Sequence, residues 1–243
     1  MKYAWYYTPL GWILNGMARL PFRALYIISD LLFVVVYHIA RYRRDVVKEN
    51  IATSFPDMSE KEQKKVARQF YRHFTDYFME TIKLAHVSDE EMRRRMEFVG
   101  TDIIDRYFDE GRSLAMYFSH CGNWEWAPSI TLWTRHKPGA ETVFAQVYRP
   151  LTNPWFDAYF LKLRSRFGSV SYDKRLVFRD LLRLRRDGKL SITGFMSDQK
   201  PSHNDTVHVL KFLNHPTAII TGTETIVRKL DLVAIYWDME KLS

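Results

Sequence analysis

The spacing of apolar residues divides the chain into a helical beginning and a longer alternating part. Residues 25–40 (LYIISDLLFVVVYHIA) form the most apolar stretch. Residues 45–55 and 59–84 repeat apolar positions with helical periodicity, and Ser59 with Glu62 matches the capping-box pattern of a helix start. The pattern therefore predicts three helices before residue 85.

Beyond residue 99, short apolar runs alternate with helical ones, which is typical of an α/β domain with a mostly parallel central sheet flanked by helices. The expected strands are Leu114–Phe118, Glu141–Val147, Ser169–Tyr172, Leu190–Gly194, Val207–Phe212 and Leu232–Trp237. The expected helices are 101–110, 123–135, 152–167, 175–187 and 217–230. No internal repeat or low-complexity linker interrupts the pattern. We therefore predict an N-terminal arm over 1–44 and one α/β domain over 45–243.

The apolar stretch 25–40 is the candidate for membrane attachment. It contains Asp30 and His38 and falls short of the roughly 20 clean apolar residues of a spanning helix. Flanking aromatic residues and arginines are typical of a helix embedded in, or marginally crossing, a bilayer. The arginines at 41–44 would then lie on the cytoplasmic side. A buried core helix of a soluble domain is the alternative.

Charge and cysteine content narrow the choice of partner. The formal net charge of +8 favours an acidic partner, such as anionic lipid, a phosphorylated glycolipid, an acidic carrier protein or nucleic acid, although it can also serve solubility alone. No zinc-finger, helix-turn-helix or RNA-binding motif is present, so we expect no nucleic acid partner. The single cysteine, Cys121, rules out an intramolecular disulfide and is compatible with a reducing compartment.

The stretch 113–129 (SLAMYFSHCGNWEWAPS) predicts a strand, a tight turn and a helix start. His120 lies at the end of the strand, Gly122 in the turn, Asn123 at the N-cap and Glu125 in the first helical turn. On a continuous helix, five positions correspond to about 500° of rotation, which leaves the side chains of His120 and Glu125 about 140° apart, so they meet only across a bend. A carboxylate on one ring nitrogen would leave the other free as a general base. A structural histidine beside an ordinary first-turn glutamate is the alternative.

Two further groups of polar residues follow predicted strands. Arg149 follows the second strand, and Asn153 can cap the next helix. Asp198 and Gln199 lie in a loop after the fourth strand, where they would shape a pocket or brace the histidine. Because ligands gather at the carboxyl ends of parallel strands, we expect Arg149 and Asp198 on the same edge as His120.

The remaining histidines do not predict a metal site. His203, His208 and His215 lack compact zinc-type spacing, and one cysteine provides no thiolate cluster. We therefore expect neither a metal nor another cofactor.

Several stretches together resemble one family. The segment SHCGNWE resembles the His-x4-acid motif of the glycerolipid acyltransferase superfamily, and the rest is similar to its lipid A branch, the late acyltransferases of lipid A biosynthesis. Four more stretches match in order: SFPDMSEKE, VYRPLTNPWFD with RSRFG, SDQKP, and FLNHPTAIITGTETIVRKLDLVAIY. The likeness extends from about residue 25 to the end of the chain. Family members usually continue with further strands and helices, so we expect a C-terminus that is short for the family.

The resemblance implies transfer of a fatty acyl group from acyl carrier protein or coenzyme A to a hydroxyl of a lipid A precursor or related glycolipid, at the cytoplasmic face of the bacterial inner membrane. His120 would be the base, with Glu125 orienting it, and transfer would be direct rather than through a thiol. The implied substrate-binding residues are Arg149, Asn153, Arg164, Asp198 and Gln199, with Arg149 and the backbone at Asn123 stabilising the oxyanion. Arg166 is better explained by the helix dipole and surface charge. A lipid- or carrier-binding protein that kept the fold without the chemistry is the alternative.

Overall fold

The computed structural model describes residues 7–199, 201 and 208–242. The chain separates into two compact units. Of the described residues, the first takes in 7–12, 87–199 and 220–242, and the second takes in 13–86, 201 and 208–219.

The first unit is built on a parallel sheet. Within the described residues it has five strands in the order β3-β2-β4-β1-β7, numbered along the chain, and every neighbouring pair is parallel. The strands are β1 Leu114–Phe118, β2 Thr142–Tyr148, β3 Val170–Asp173, β4 Leu190–Met196 and β7 Val233–Tyr236. This arrangement confirms the predicted α/β class. It also confirms five of the predicted strands, each of whose ends lies within two residues of the predicted end.

Helices cover both faces of the sheet. They are α5 Asp89–Arg95, α6 Asp102–Asp109, α7 Pro154–Arg164, α8 Val177–Arg186 and α9 Gly222–Leu230, with 3-10 helices at Trp124–Leu132 and Ser165–Phe167. Alternate residues of β1 enter different cores, as strand geometry requires. Leu114 packs in one core with Phe108 of α6, whereas Ala115 packs in the other with Leu181 of α8 and Leu230 of α9.

The second unit is mostly helical. It contains the last residues of α1 (Tyr7–Arg19), then α2 Phe22–Phe33, a π-helical continuation Val34–Ile39, α3 Arg44–Ser54 and α4 Glu60–Lys83. A separate antiparallel hairpin joins β5 (His208–Phe212) to β6 (His215–Ile219).

Polar contacts fasten α2 to α4. Ser29 Oγ donates to Asp76 Oδ1 at 2.7 Å, and Tyr26 OH donates to Glu80 Oε1 at 3.0 Å. The predicted capping box at Ser59 is confirmed, because its hydroxyl and backbone N–H exchange hydrogen bonds with Glu62.

One helical segment of the described chain is long and apolar enough to cross a membrane. Phe22–Ile39 has 18 residues with a mean hydropathy of 1.7, and 22% of it is buried in the structure. Core helices of soluble proteins and signal sequences also satisfy these criteria of length and composition, so attachment to a membrane stays a prediction.

Three predicted elements differ from the structure. The helix expected over 217–230 begins only at Gly222, because His215–Ile219 pairs with β5 instead. The strand expected over Val207–Phe212 forms that hairpin rather than part of the central sheet, and Val207 lies outside the described residues. The helix expected over 123–135 is a 3-10 helix that contains Pro128, which has no N–H to donate to an α-helical ladder.

Candidate active site

The candidate site lies at the carboxyl edge of the parallel sheet. Phe118 ends β1 and is paired with Met196, which ends β4. His120 and Asp198 each follow two residues later, so the sheet register brings them together although 78 residues separate them in sequence. This result agrees with the expectation that the two lie on one edge.

A carboxylate holds both the ring and the backbone of His120. Nδ1 of His120 lies 2.7 Å from Oδ1 of Asp198, and the backbone N–H of His120 donates to Oδ2 at 2.8 Å. Because an ionised carboxylate only accepts hydrogen bonds, the neutral imidazole carries its proton on Nδ1, which leaves the lone pair on Nε2. The Trp124 ring packs edge-on against the imidazole, with 4.9 Å between ring centroids. These contacts fix the orientation of the imidazole.

The turn after His120 depends on Gly122. Its φ is +61°, and a Cβ added there would lie 2.1 Å from Sδ of Met239. The exposed Cys121 lies beside the same segment, and its thiol donates to the Met239 carbonyl at 3.5 Å. The turn bends the chain as expected. Asn123, however, does not cap the following helix with its side chain, because its backbone adopts φ −100° and ψ 80° and no side-chain cap bond forms.

Glu125 pairs with an arginine, a partner that the sequence did not predict. Its carboxylate is 3% exposed and accepts two hydrogen bonds from Arg164, at 2.8 Å from Nε and 2.6 Å from Nη2. Bidentate pairing suits an arginine and a buried carboxylate, because both oxygens gain charged donors. Asp198, rather than Glu125, is the carboxylate on Nδ1 of His120. We therefore revise the expected His120–Glu125 arrangement at that nitrogen.

Arg164 is positioned by the helix that ends with it. Asn153 caps the start of α7, accepting hydrogen bonds from the backbone N–H groups of Trp155 at 3.0 Å and Phe156 at 3.3 Å, as the sequence predicted. At the other end, Ser169 Oγ donates to the Arg164 carbonyl at 2.8 Å. Asn153 thus has a structural role in the described chain, and its predicted contact with substrate stays a prediction.

The other predicted residues divide between the sheet edge and the surface. Arg149 is exposed directly after β2, and Gln199 is exposed directly after Asp198. Arg166 donates to the Val87 carbonyl and lies 3.7 Å from Asp89, which fits the surface role expected for it.

Tyrosines with raised pKa values line the same strands near their carboxyl ends. Burial raises the pKa of Tyr117 in β1, Tyr148 in β2 and Tyr172 in β3, and nearby carboxylates add to each shift. These phenols therefore stay neutral at physiological pH. Sequence reasoning did not single them out, because nothing in their spacing distinguishes them from core aromatics.

The residues described contain no group of three or more His, Cys, Asp or Glu side chains arranged to hold a metal ion. His215 contacts Thr53 Oγ1 at 2.9 Å, His208 is exposed, and His203 lies outside the described residues.

An oriented histidine at the carboxyl edge of a parallel sheet gives this α/β protein a candidate active site at that edge. Comparison with known families narrows this class. The family model of the bacterial lipid A biosynthesis acyltransferases matches residues 1–236 of this chain. The chain belongs to this family, as the sequence motifs indicated.

A curated relative supports the assignment. The chain is similar to a lipid A biosynthesis acyltransferase of Haemophilus influenzae, with 23% identity over 175 residues. The matched region covers 72% of this chain and 53% of the relative. The chain therefore spans about half the length of the curated relative it matches.

Proposed function

We propose that this protein transfers a fatty acyl group from an acyl thioester to a hydroxyl of a lipid A precursor or related glycolipid, with His120 as the general base. The observation that carries the proposal is the 2.7 Å contact between His120 Nδ1 and Asp198, which orients the imidazole. Family membership supports acyl transfer as the reaction class.

In the proposed step, Nε2 of His120 accepts the proton of the acceptor hydroxyl. The hydroxyl oxygen attacks the thioester carbonyl carbon, so a C–O bond forms and the C–S bond then breaks. His120 returns the proton to the departing thiolate sulfur, which leaves the histidine neutral. Asp198 stabilises the transient imidazolium through Nδ1. Cys121 is not needed as a nucleophile in this direct transfer.

Cationic groups would stabilise the charge that develops on the thioester oxygen. Arg149 is exposed at the edge that also holds His120, and it is our candidate for the oxyanion or for a phosphate of the acceptor. Arg164 is engaged with Glu125, so we assign this pair a structural role. Gln199 and Asn153 remain candidates for binding the acceptor or donor.

We further propose that the protein works at the cytoplasmic face of the bacterial inner membrane and accepts its acyl group from an acidic carrier protein or from coenzyme A, without a metal or redox cofactor. The apolar helical segment Phe22–Ile39 and the arginines at 41–44 support the location. The net charge of +8 supports binding to an anionic membrane surface and to an anionic acyl donor.

Lipid mass spectrometry tests the proposal. Cells with the protein should contain a glycolipid that carries one more acyl chain than in cells without it, and the mass difference identifies both acceptor and chain. A His120→Ala variant that folds normally should leave the lipid unacylated. Unchanged acylation in that variant would remove the mechanism. Lipid binding without acyl transfer by the unaltered protein would favour a non-catalytic binding protein.

A further inference from the structure

The hairpin of the second unit, β5–β6, has an unusual turn. Phe212 pairs with His215, so Leu213 and Asn214 alone form the loop. Both adopt positive φ, +46° at Leu213 and +67° at Asn214, as a type I′ turn requires. Asparagine and glycine commonly occupy such positions, whereas a branched leucine is disfavoured there. Backbone geometry therefore does not explain why a leucine occupies position 213, and a role for its exposed side chain explains it better.

The hairpin exposes apolar side chains on both of its faces. Register places Leu210 and Phe212 on one face and Val209 on the other. Val209 is 59% exposed, Leu210 46% and Phe212 58%, and Leu213 at the turn is 43% exposed. Antiparallel strands on a protein surface usually alternate between an apolar inner face and a polar outer face. A protein partner would cover one face, whereas lipid can surround both.

The turn is fastened to the end of α3. The Asn214 side chain donates to the Ser54 carbonyl at 3.3 Å, and His215 Nε2 contacts Thr53 Oγ1 at 2.9 Å. Phe55, which directly follows this anchor, is 39% exposed. Because an isolated two-stranded hairpin is only marginally stable in water, these contacts help to hold its apolar turn in place. We call Phe55, Val209, Leu210, Phe212 and Leu213 the hairpin patch.

Charge and apolar surface elsewhere in the second unit also favour a bilayer. Lys211 lies within the hairpin, and Arg43 and Arg44 are exposed at the start of α3, so basic groups are available for anionic headgroups. Ile27 and Leu31 on α2 are more than three-fifths exposed, which gives the candidate membrane helix an uncovered apolar side. The unit thus combines two uncovered apolar surfaces with positive charge.

We propose that the hairpin patch is a second membrane contact, which inserts into the interface of an anionic bilayer alongside the helical segment Phe22–Ile39. This inference rests on the membrane attachment in the proposed function. Its apolar side chains would lie at the boundary between headgroups and acyl chains, as interfacial segments do.

Site-specific fluorescence tests the contact directly. Because the full chain has one cysteine, a Cys121→Ser background accepts a single nitrobenzoxadiazole label at Leu213→Cys or Val209→Cys. Matched labels at Leu31→Cys on α2 and Glu110→Cys after α6 serve as positive and negative references. With vesicles of phosphatidylethanolamine and phosphatidylglycerol, we expect blue-shifted, brighter emission from labels at 209, 213 and 31, and none from 110.

The pattern of shifts separates the two proposals. A shift at position 31 without one at 209 or 213 would overturn the hairpin contact and leave membrane attachment standing. No shift at any of these three positions would overturn both.

Affinity measurements provide a second test. Replacing both Phe212 and Leu213 by serine should weaken vesicle binding roughly tenfold, since the partial burial of two large apolar side chains is lost. The control pair Leu176→Ser and Phe178→Ser, in the first unit and also exposed, at 40% and 37%, should leave vesicle binding unchanged. Equal weakening by both pairs would contradict the proposal. Unchanged vesicle affinity with loss of a dimer in the Phe212/Leu213 variant would show that a second copy of the chain covers the patch instead.

Discussion

The pair of Glu125 and Arg164 allows a quantitative prediction of stability. Replacing Arg164 by methionine removes both charge-assisted hydrogen bonds that it gives to Glu125, at 2.6 and 2.8 Å, while keeping an apolar stem of similar length. The carboxylate that loses them is 3% exposed, so water cannot readily replace the lost donors. The prediction therefore concerns the free energy of removing one partner of a buried ion pair.

The expected loss follows from the burial of the two partners. Removing one partner of a buried ion pair costs about 3–5 kcal/mol, and because the Arg164 side chain is itself 21% exposed we expect the lower end, about 3 kcal/mol. If the urea dependence is about 3 kcal/mol per molar, the unfolding midpoint should fall by about 1 M. Glu125→Leu combined with Arg164→Met should recover part of this loss, because it removes both charges together.

Equilibrium unfolding in urea, followed by tryptophan fluorescence, measures the two single variants, Arg164→Met and Glu125→Leu, and the double variant. Arg166→Met is the matched control, since this neighbouring arginine lies 3.7 Å from an exposed aspartate, and we expect it to cost about 1 kcal/mol or less. A loss below about 1 kcal/mol in Arg164→Met, or purely additive effects in the double variant, would refute the reasoning.

Four further predictions concern other parts of the first unit. Asp198→Asn should lower kcat by roughly 10²–10⁴-fold and alter its pH profile while the fold persists, because the orienting charge on Nδ1 is lost; an unchanged profile from steady-state assays would exclude this role. Gly122→Ala should lower the free energy of unfolding by roughly 1–2 kcal/mol, because φ is +61° there, and a neutral result in urea would contradict that account. Asn153→Ala should cost about 1 kcal/mol through the lost cap of α7, with Asn153→Ser recovering most of it in thermal unfolding. A hydrogen bond from His136, the larger cause, and one from Arg135 hold the pKa of Asp109 below its ordinary value. The contribution of Asp109 to folding stability is therefore present above its unfolded pKa and is lost as the pH falls through its folded pKa. Asp109→Asn should remove this part of the acid dependence of stability, which unfolding measured as a function of pH would show.

Short-range signals made most of the fold predictable. The strand Leu114–Phe118 is predicted to the residue, because its apolar run ends at a turn that contains Gly122. The capping box at Ser59 and the cap at Asn153 are likewise visible in sequence, since each depends on residues no more than three positions apart. Such local rules report on backbone geometry and do not require knowledge of the tertiary contacts.

Pairing between strands explains two of the errors. The pattern predicts a helix that starts at residue 217, but the segment His215–Ile219 pairs with His208–Phe212 as a hairpin. In the same way, proximity in sequence favoured Glu125 as the partner of His120. Whether Glu125 or Asp198 contacts the His120 ring depends on which strands are neighbours in the sheet, and a single sequence does not determine the strand order.

The geometry of the candidate site therefore depends on the pairing of β1 with β4. Phe118 is opposite Met196, and two residues of extension on each strand place the His120 ring and backbone on the two oxygens of Asp198. A shift of one residue in this register would move Asp198 by about 3.3 Å along the sheet, which exceeds the tolerance of a 2.7 Å contact. The packed side chains of β1 and β4 resist such a shift, since it would turn the core residues of one strand to the wrong face. The orientation of the proposed base is thus a consequence of how the sheet is packed.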